Sequence, residues 1–451
     1  MTLPHGAVPV SSLHVRTDPG NGFCPLDLDQ EGALERDGSI VVLKSRDGKF
    51  QINLVDRIFR DEKRALLPQK PGLISRDETS IFNFVQRCRG RWEDALESVK
   101  FTSVKPGGDG TKTHFPYEEK WDCPVNETAF HSIAGRLAVA GDKLFTTIFG
   151  GSGGTALDDI AQKLRETVRS GELVLTVYAP DFHLPWRMLY THPTPTDKLA
   201  PDGSNFDPRG FWGYQHIIEQ FTNDYEIKDH VRAKEKLSFG AAVHDRLDTK
   251  FNVECLARHR LFVQANGEHL AYEEWTTKAA VESGLSAEPF PHQVVYFLCH
   301  AEGAGTIDKP TLKPTWLGFA DGEIDTVGLC EYLIHGFAGS PPLVFINACR
   351  GGHLGTLTSH NFTFASEFLE RGVICLIAPQ IEIPAVFAGE FGKRFFEQFI
   401  SGKRPPPRVG VVLRDLTRDM WKRLNPFGLA YSLYAGADCH IRWDKRGGTA
   451  T

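Results

Sequence analysis

The 451-residue chain has no C-x-x-C pair, no Cys/His spacing of the kind that holds zinc, and no repeat of solenoid period. No apolar run reaches the roughly 18 residues of a membrane-spanning helix. The start, Met1-Thr2-Leu3-Pro4-His5, has no basic stretch followed by an apolar core, so no signal peptide is expected. Nine cysteines, at 24, 88, 123, 255, 299, 330, 349, 375 and 439, are odd in number and scattered. That pattern argues against a disulfide framework and for free thiols in a reducing, cytoplasmic setting. A net charge of -6 creates no field for nucleic acid or an acidic membrane surface. The glycine run Gly150-Gly151-Ser152-Gly153-Gly154-Thr155 follows a helical stripe rather than a strand, and no Lys follows its last glycine. It therefore reads as a flexible turn or an exposed loop, and the idea of a nucleotide-sensing module has no phosphate loop to stand on. No cofactor and no metal are expected.

Apolar material is plentiful: 41% of residues are hydrophobic and 31 are Phe, enough for sizeable cores in two or three domains. Residues 1–22, rich in Gly, Pro, Ser and Thr, read as a loose tail. Ser39–Lys44 and Phe50–Val55 flank Asp47-Gly48, which predicts a hairpin. Residues 80–99 have helical spacing. Residues 23–110 thus read as a small α+β region ending in the linker Lys105–Gly110. Helices are expected over 126–148 and 157–168, a strand over 173–178, and a loop-dominated stretch to about 236. From 237 onward strands and helices alternate: strands at 237–243, 293–299, 343–347 and 373–378, helices near 252–265, 271–283, 325–337, 364–371, 384–401 and 409–423. That alternation predicts a mostly parallel α/β sheet with helices on both faces.

Two of these strands carry chemistry. Leu343-Val344-Phe345-Ile346-Asn347-Ala348-Cys349-Arg350-Gly351-Gly352 is a buried-strand pattern that delivers a thiol to a glycine-rich turn. Val294–Leu298 leads through Cys299 to His300, Ala301, Glu302 and Gly303. Open α/β sheets place chemistry at the C-terminal ends of their strands, so neighbouring strands would bring His300 and Cys349 to one edge. A thiol of pKa roughly 8.5 is mostly protonated at neutral pH. An imidazole beside it can take the proton and later return it to a leaving amine. Gly351 and Gly352 would let main chain approach a substrate closely. The competing reading of Cys349 is a core thiol. Cys299, facing the other side of its strand, Cys375 in mid-strand and Cys330 in mid-helix read as packing residues. His353 and His360 are alternative bases or surface residues.

These strand ends resemble a CHAT domain, a branch of the caspase-like cysteine peptidases that include separase and gingipain. Leu184-Pro185-Trp186 with Leu189-Tyr190 is similar to the family's Pro-Trp element, and Ala378-Pro379-Gln380 and Gly428–Gly436 are similar to its later strands. The sequence departs from the family at Ala301, where a glycine usually follows the histidine, and at Arg187, where an acidic residue usually follows the tryptophan. The resemblance covers about residues 125–443 and implies a caspase-like sandwich, with an N-terminal part at 125–236 and a catalytic half at 237–445. It also implies a His300/Cys349 dyad and an oxyanion hole from the turn Ala301 to Gly303 and the amide of Cys349. Glu382, just after the next strand, is implied as the holder of a basic substrate side chain; otherwise it is a solvated carboxylate before a helix. The implied activity is that of a cysteine endopeptidase cutting a protein partner, latent until an activating partner or signal arrives, in bacterial antiviral defence or regulated death. The alternative is a catalytically inactive protein-interaction module of the same fold.

Overall fold

The Asp47-Gly48 turn forms as its chemistry requires. In a computed structural model describing residues 33–55, 70–104, 111–114, 117, 120–122, 126–150, 155–222, 229–251, 253–302, 316–333, 335–337, 339–348 and 364–444, Gly48 takes a φ of +79°. Around it β1 (Gly38–Lys44) and β2 (Phe50–Val55) pair antiparallel, and β3 (Gly72–Ile74) adds to β2. Helix α1 (Glu78–Leu96) is capped by Asp77, whose carboxylate accepts from the Ser80 N–H at 2.7 Å. β4 (Phe101–Val104) and β5 (Thr111–His114) form a separate ribbon. Two helices, α2 (Glu127–Phe149) and α3 (Ala156–Arg169), precede β6 (Val174–Tyr178); a short α4 (Trp212–Gln215) then leads to β7 (Ile217–Phe221) and β8 (His230–Ala233).

The C-terminal part follows the predicted alternation: β9 (Leu237–Val243), α5 (Leu247–Phe251), α6 (Cys255–Ala265), β10 (Leu270–Trp275), α7 (Lys278–Leu285) and β11 (Val294–Leu298). Next come β12 (His300–Glu302), β13 (Trp316–Phe319), β14 (Gly322–Asp325), α8 (Thr326–Tyr332), β15 (Leu343–Ile346), α9 (Phe364–Glu370) and β16 (Cys375–Pro379). The chain closes with α10 (Ala385–Phe399), α11 (Val409–Lys422), β17 (Tyr431–Tyr434) and β18 (His440–Trp443).

Eleven strands form one sheet in the order β10-β9-β11-β15-β16-β17-β7-β6-β1-β2-β3. It is mostly parallel; β16–β17, β1–β2 and β2–β3 are its antiparallel pairings. Strands β1, β2 and β3 of the 23–110 region therefore extend the main sheet beyond β6, while β4 stays outside it. Side chains alternate between two cores with the two-residue period of a strand. Val294, Tyr296, Leu298, Leu343 and Phe345 join one core with α6, α10 and α11; Val295, Phe297, Cys299, Val344, Ile346 and Ala348 join the other with α7, α8 and α9. All four residues of β15 are buried at 0% exposure, which is why that strand reads as an unbroken apolar run. The fold is thus a mixed α/β sandwich with helices on both faces.

Two expectations for these elements change, and one unexplained residue finds its role. Residues 271–283 are not one helix: Ala271 and Glu273 are exposed while Leu270 is buried, and β10 pairs parallel with β9 before α7 begins. The stretch called loop-dominated contains β7, a sheet strand buried along its whole length. Arg187 is 2% exposed and donates to the Gly213 carbonyl at 3.0 Å, the Thr417 hydroxyl at 2.8 Å, and the carbonyls of Gly428 and Tyr431. Arg187 is thus a structural tie among α4, α11 and β17.

Candidate active site

β9, β11, β15 and β16 are mutually parallel, so their C-terminal ends share one rim. In the β11–β15 ladder Val294 stands opposite Leu343 and Phe297 opposite Ile346, an offset of 49 positions; the same 49 separate His300 from Cys349. The ladder continues past β15, because the Asn347 N–H donates to the Phe297 carbonyl at 2.8 Å.

Of the predicted site residues, the backbones of His300 and Ala301 are described, and so is Glu382 in full; Gly303, Cys349, Gly351, Gly352, His353 and His360 lie outside the described residues. A turn was expected at Ala301. Instead His300, Ala301 and Glu302 form β12, opposite Gly318, Leu317 and Trp316 of β13. The reason is local: Leu317 and Ile324 are buried in the α7–α9 core and bring the β13–β14 hairpin against this segment. Position 300 thus opens a ladder of its own as soon as β11 ends. Cys299 is 5% exposed in the core, Cys375 is fully buried, and the Cys330 thiol donates to the Thr326 carbonyl within its helix at 3.1 Å, as packing roles require.

Asn347, two positions before Cys349, is 2% exposed. Its amide nitrogen donates to the Tyr296 hydroxyl at 2.9 Å and to the Ala388 carbonyl of α10; its oxygen accepts from the Tyr431 hydroxyl at 2.5 Å. The end of β15 is therefore tied to β11, α10 and β17 at once. Burial pushes the Tyr296 phenol well above its usual pKa, keeping it protonated.

After β16, Gln380, Ile381 and Ile383 are buried while Glu382 between them is exposed. Two ties hold this segment from α1: Arg89 donates to the Gln380 side-chain oxygen at 2.5 Å, and the Glu382 N–H donates to a Glu93 carboxylate oxygen at 3.2 Å. Sequence reasoning also passed over His244, whose N–H donates to the Leu298 carbonyl at 3.1 Å, on the same rim. Its signal was available: like His300, it directly follows a mostly apolar strand, here Leu237–Val243. Among the described residues no group of three or more His, Cys, Asp or Glu side chains is placed to hold a metal, and no helix is long and apolar enough to cross a membrane.

Residues 230–423 match the family model of the CHAT domain, the resemblance read from the strand ends. The match runs from β8 through α11 and includes every strand on the rim. A comparison with curated protein sequences found no match. Among solved structures, the chain is similar to the Arg-specific cysteine proteinase gingipain R at 12% identity, over 62% of this chain and 68% of that one, with a TM-score of 0.39. A complex of the pro- and mature domains of the same proteinase from Porphyromonas gingivalis gives 12% identity over 62% and 70%, TM-score 0.39. The separase–securin complex of Saccharomyces cerevisiae gives 8% identity over 90% of this chain and 30% of that one, TM-score 0.44.

Proposed function

We propose that this protein is a caspase-like cysteine endopeptidase with a His300/Cys349 dyad. The supporting observation is that β11 and β15 are parallel neighbours in register, so the segments that carry His300 and Cys349 follow strand ends on one edge of the sheet. In the reaction, His300 takes the thiol proton as sulfur attacks the scissile carbonyl, and returns it to the amine as the C–N bond breaks. Water then hydrolyses the thioester. The N–H of Cys349 and the segment from Ala301 to Gly303 supply the oxyanion donors. Glu382, exposed beside this rim, takes an Arg or Lys side chain before the cleaved bond. The substrate is a protein partner, the enzyme is cytoplasmic and latent until activated, and its setting is bacterial antiviral defence or regulated death. The N-terminal region gates it or recruits its partner.

The reading is tested with reporter peptides carrying Arg or Lys before the cleaved bond, and with an irreversible thiol inhibitor whose attachment site is found by mass spectrometry. The activating partner is sought by co-expression with genomic neighbours. Cys349→Ala and His300→Ala are expected to abolish cleavage in folded protein, and the inhibitor is expected on Cys349. Cleavage that survives Cys349→Ala would refute the mechanism. One observation favours the alternative, a catalytically inactive interaction module: Ala301 sits in a strand ladder where a glycine turn was expected. That reading requires Cys349 to react no faster than an ordinary exposed thiol.

A further inference from the structure

Glu382 is not held by its own strand and helix alone. Between the end of β16 and the start of α10, Ile381 is 0% and Ile383 5% exposed, which turns the residue between them outward. Gln380 is anchored three ways: its N–H donates to the Ala430 carbonyl at 2.9 Å, its side-chain nitrogen to the Tyr434 hydroxyl at 2.7 Å, and its side-chain oxygen accepts from Arg89. Arg89 is itself 4% exposed, on the face of α1 that also buries Val85 and Trp92. One helical turn beyond Arg89, Glu93 accepts the backbone N–H of Glu382. The i, i+4 spacing thus puts a donor and an acceptor on one stripe of α1, and both engage a segment almost three hundred residues away.

We propose that Glu93 is a positioning residue for substrate selection: it fixes the Glu382 backbone, and so sets where that carboxylate meets a basic side chain. This rests on the assignment of Glu382 as the cation holder. It gives α1 a part in choosing the substrate. A hydrogen bond to a charged acceptor is stronger than a neutral one, and a carboxylate must be held in place to grip a guanidinium bidentately. Arg89 fixes the segment from below, through a buried side chain; Glu93 acts closer to solvent, so it can be altered with less cost to the fold.

The experiment compares Glu93→Ala, which removes the acceptor, with Glu93→Gln, which keeps an acceptor oxygen and loses the charge. Amide exchange of peptides covering residues 380–384 reads the tether directly, without catalysis. Exchange is expected to be faster in Glu93→Ala and near wild type in Glu93→Gln. On matched reporter peptides with Arg or an uncharged residue before the cleaved bond, Glu93→Ala is expected to raise KM for the Arg peptide by roughly threefold to tenfold, leaving kcat and the uncharged peptide nearly unchanged. In a Glu382→Ala background the Glu93→Ala effect should vanish, as a coupled pair requires. Unchanged exchange in Glu93→Ala overturns the tether. Faster exchange with unchanged Arg preference, or an effect that persists without Glu382, overturns the role in selection. A wild type whose Arg preference does not respond to Glu382→Ala instead sinks the assignment of Glu382, and this inference with it.

Discussion

The Tyr431 hydroxyl donates to the Asn347 side-chain oxygen at 2.5 Å, joining two strands that are not neighbours in the sheet. The same amide gives its two hydrogens to Tyr296 and to the Ala388 carbonyl. A carboxamide is a side chain of this size that offers two donors and an acceptor without charge. Asn347→Leu would take one hydrogen bond from each of three buried polar groups, and the cost is expected at roughly 2–4 kcal/mol. Asn347→Asp would turn a carboxylate oxygen toward the Ala388 carbonyl and is expected to cost a similar amount. Tyr431→Phe removes the hydroxyl's bond to Asn347 while keeping the ring, and should cost about 1 kcal/mol. Urea unfolding of the three variants checks the ranking; an Asn347→Leu protein as stable as wild type would show that the junction contributes nothing.

Helix α10 carries two glycines where helix propensity alone favours alanine by roughly 1 kcal/mol each. Packing reverses that preference. A Cβ at Gly392 would lie 2.4 Å from the Tyr296 hydroxyl oxygen and 3.1 Å from the Asn347 amide nitrogen; one at Gly389 would lie 2.4 Å from the Cys255 Cβ. Both positions let α10 press onto its neighbours. Gly392→Ala and Gly389→Ala are each expected to destabilise by about 1–3 kcal/mol, since overpacking outweighs the propensity gain. Gly90 of α1, where a Cβ would meet nothing within 4 Å, is the control and should be stabilised by its alanine substitution. Thermal unfolding of the three proteins decides it, and a stabilised Gly392→Ala would sink the packing argument.

How much of this could be read in the sequence follows from what each segment buries. Strands β9, β11, β15 and β16 are covered on both faces, so each is a short, mostly apolar run and was visible with its order along the chain. The helical stripes of α1, α2, α3, α10 and α11 were visible because one side of each enters the shared core. β7 escaped notice because Glu219 and Gln220 interrupt its pattern. Glu219 is 1% exposed, and accepts from Arg36, from the Thr176 hydroxyl at 2.8 Å and from the Ala437 N–H at 2.8 Å. A buried acid satisfied by residues far along the chain has no local signature. The same holds for the ties from Arg89 and Glu93: the pattern of α1 shows that Arg89 lies on its inner stripe, but not that Gln380 awaits it. At the rim, residue types at strand ends pointed to His300 and Cys349, whereas β12 depends on a partner strand that starts at Trp316.

Two buried histidines set a pH dependence. His259 is 1% exposed, with the rings of Phe239, Phe262, Tyr272 and Tyr296 between 5.1 and 6.2 Å away. The Tyr272 hydroxyl donates to Glu274 at 2.9 Å, so the His259 Nε2 carries the proton and donates to the Tyr272 oxygen at 3.2 Å; Nδ1 has no hydrogen-bond partner among the described residues. Burial pushes its pKa down to about 4, against the attraction of Glu274 and with the repulsion of Arg260. Burial likewise takes His216 to about 3, opposed by its bond to the Val168 backbone and aided by Arg418 and Arg414. Both folded-state values lie below the unfolded value of about 6.5. The stability owed to keeping each ring neutral is therefore fully present above about pH 6.5 and is lost as pH falls toward the folded value, where the unfolded chain takes up a proton that the native state refuses. Each ring contributes a slope of up to about 1.4 kcal/mol per pH unit across that window. His259→Phe keeps an aromatic ring in the cage, and Tyr272 keeps Glu274. Its stability relative to wild type is expected to improve steadily as urea unfolding is repeated at pH 7, 6, 5 and 4.5. Parallel pH curves for the two proteins would mean that His259 accepts its proton as readily in the folded state as in the unfolded one.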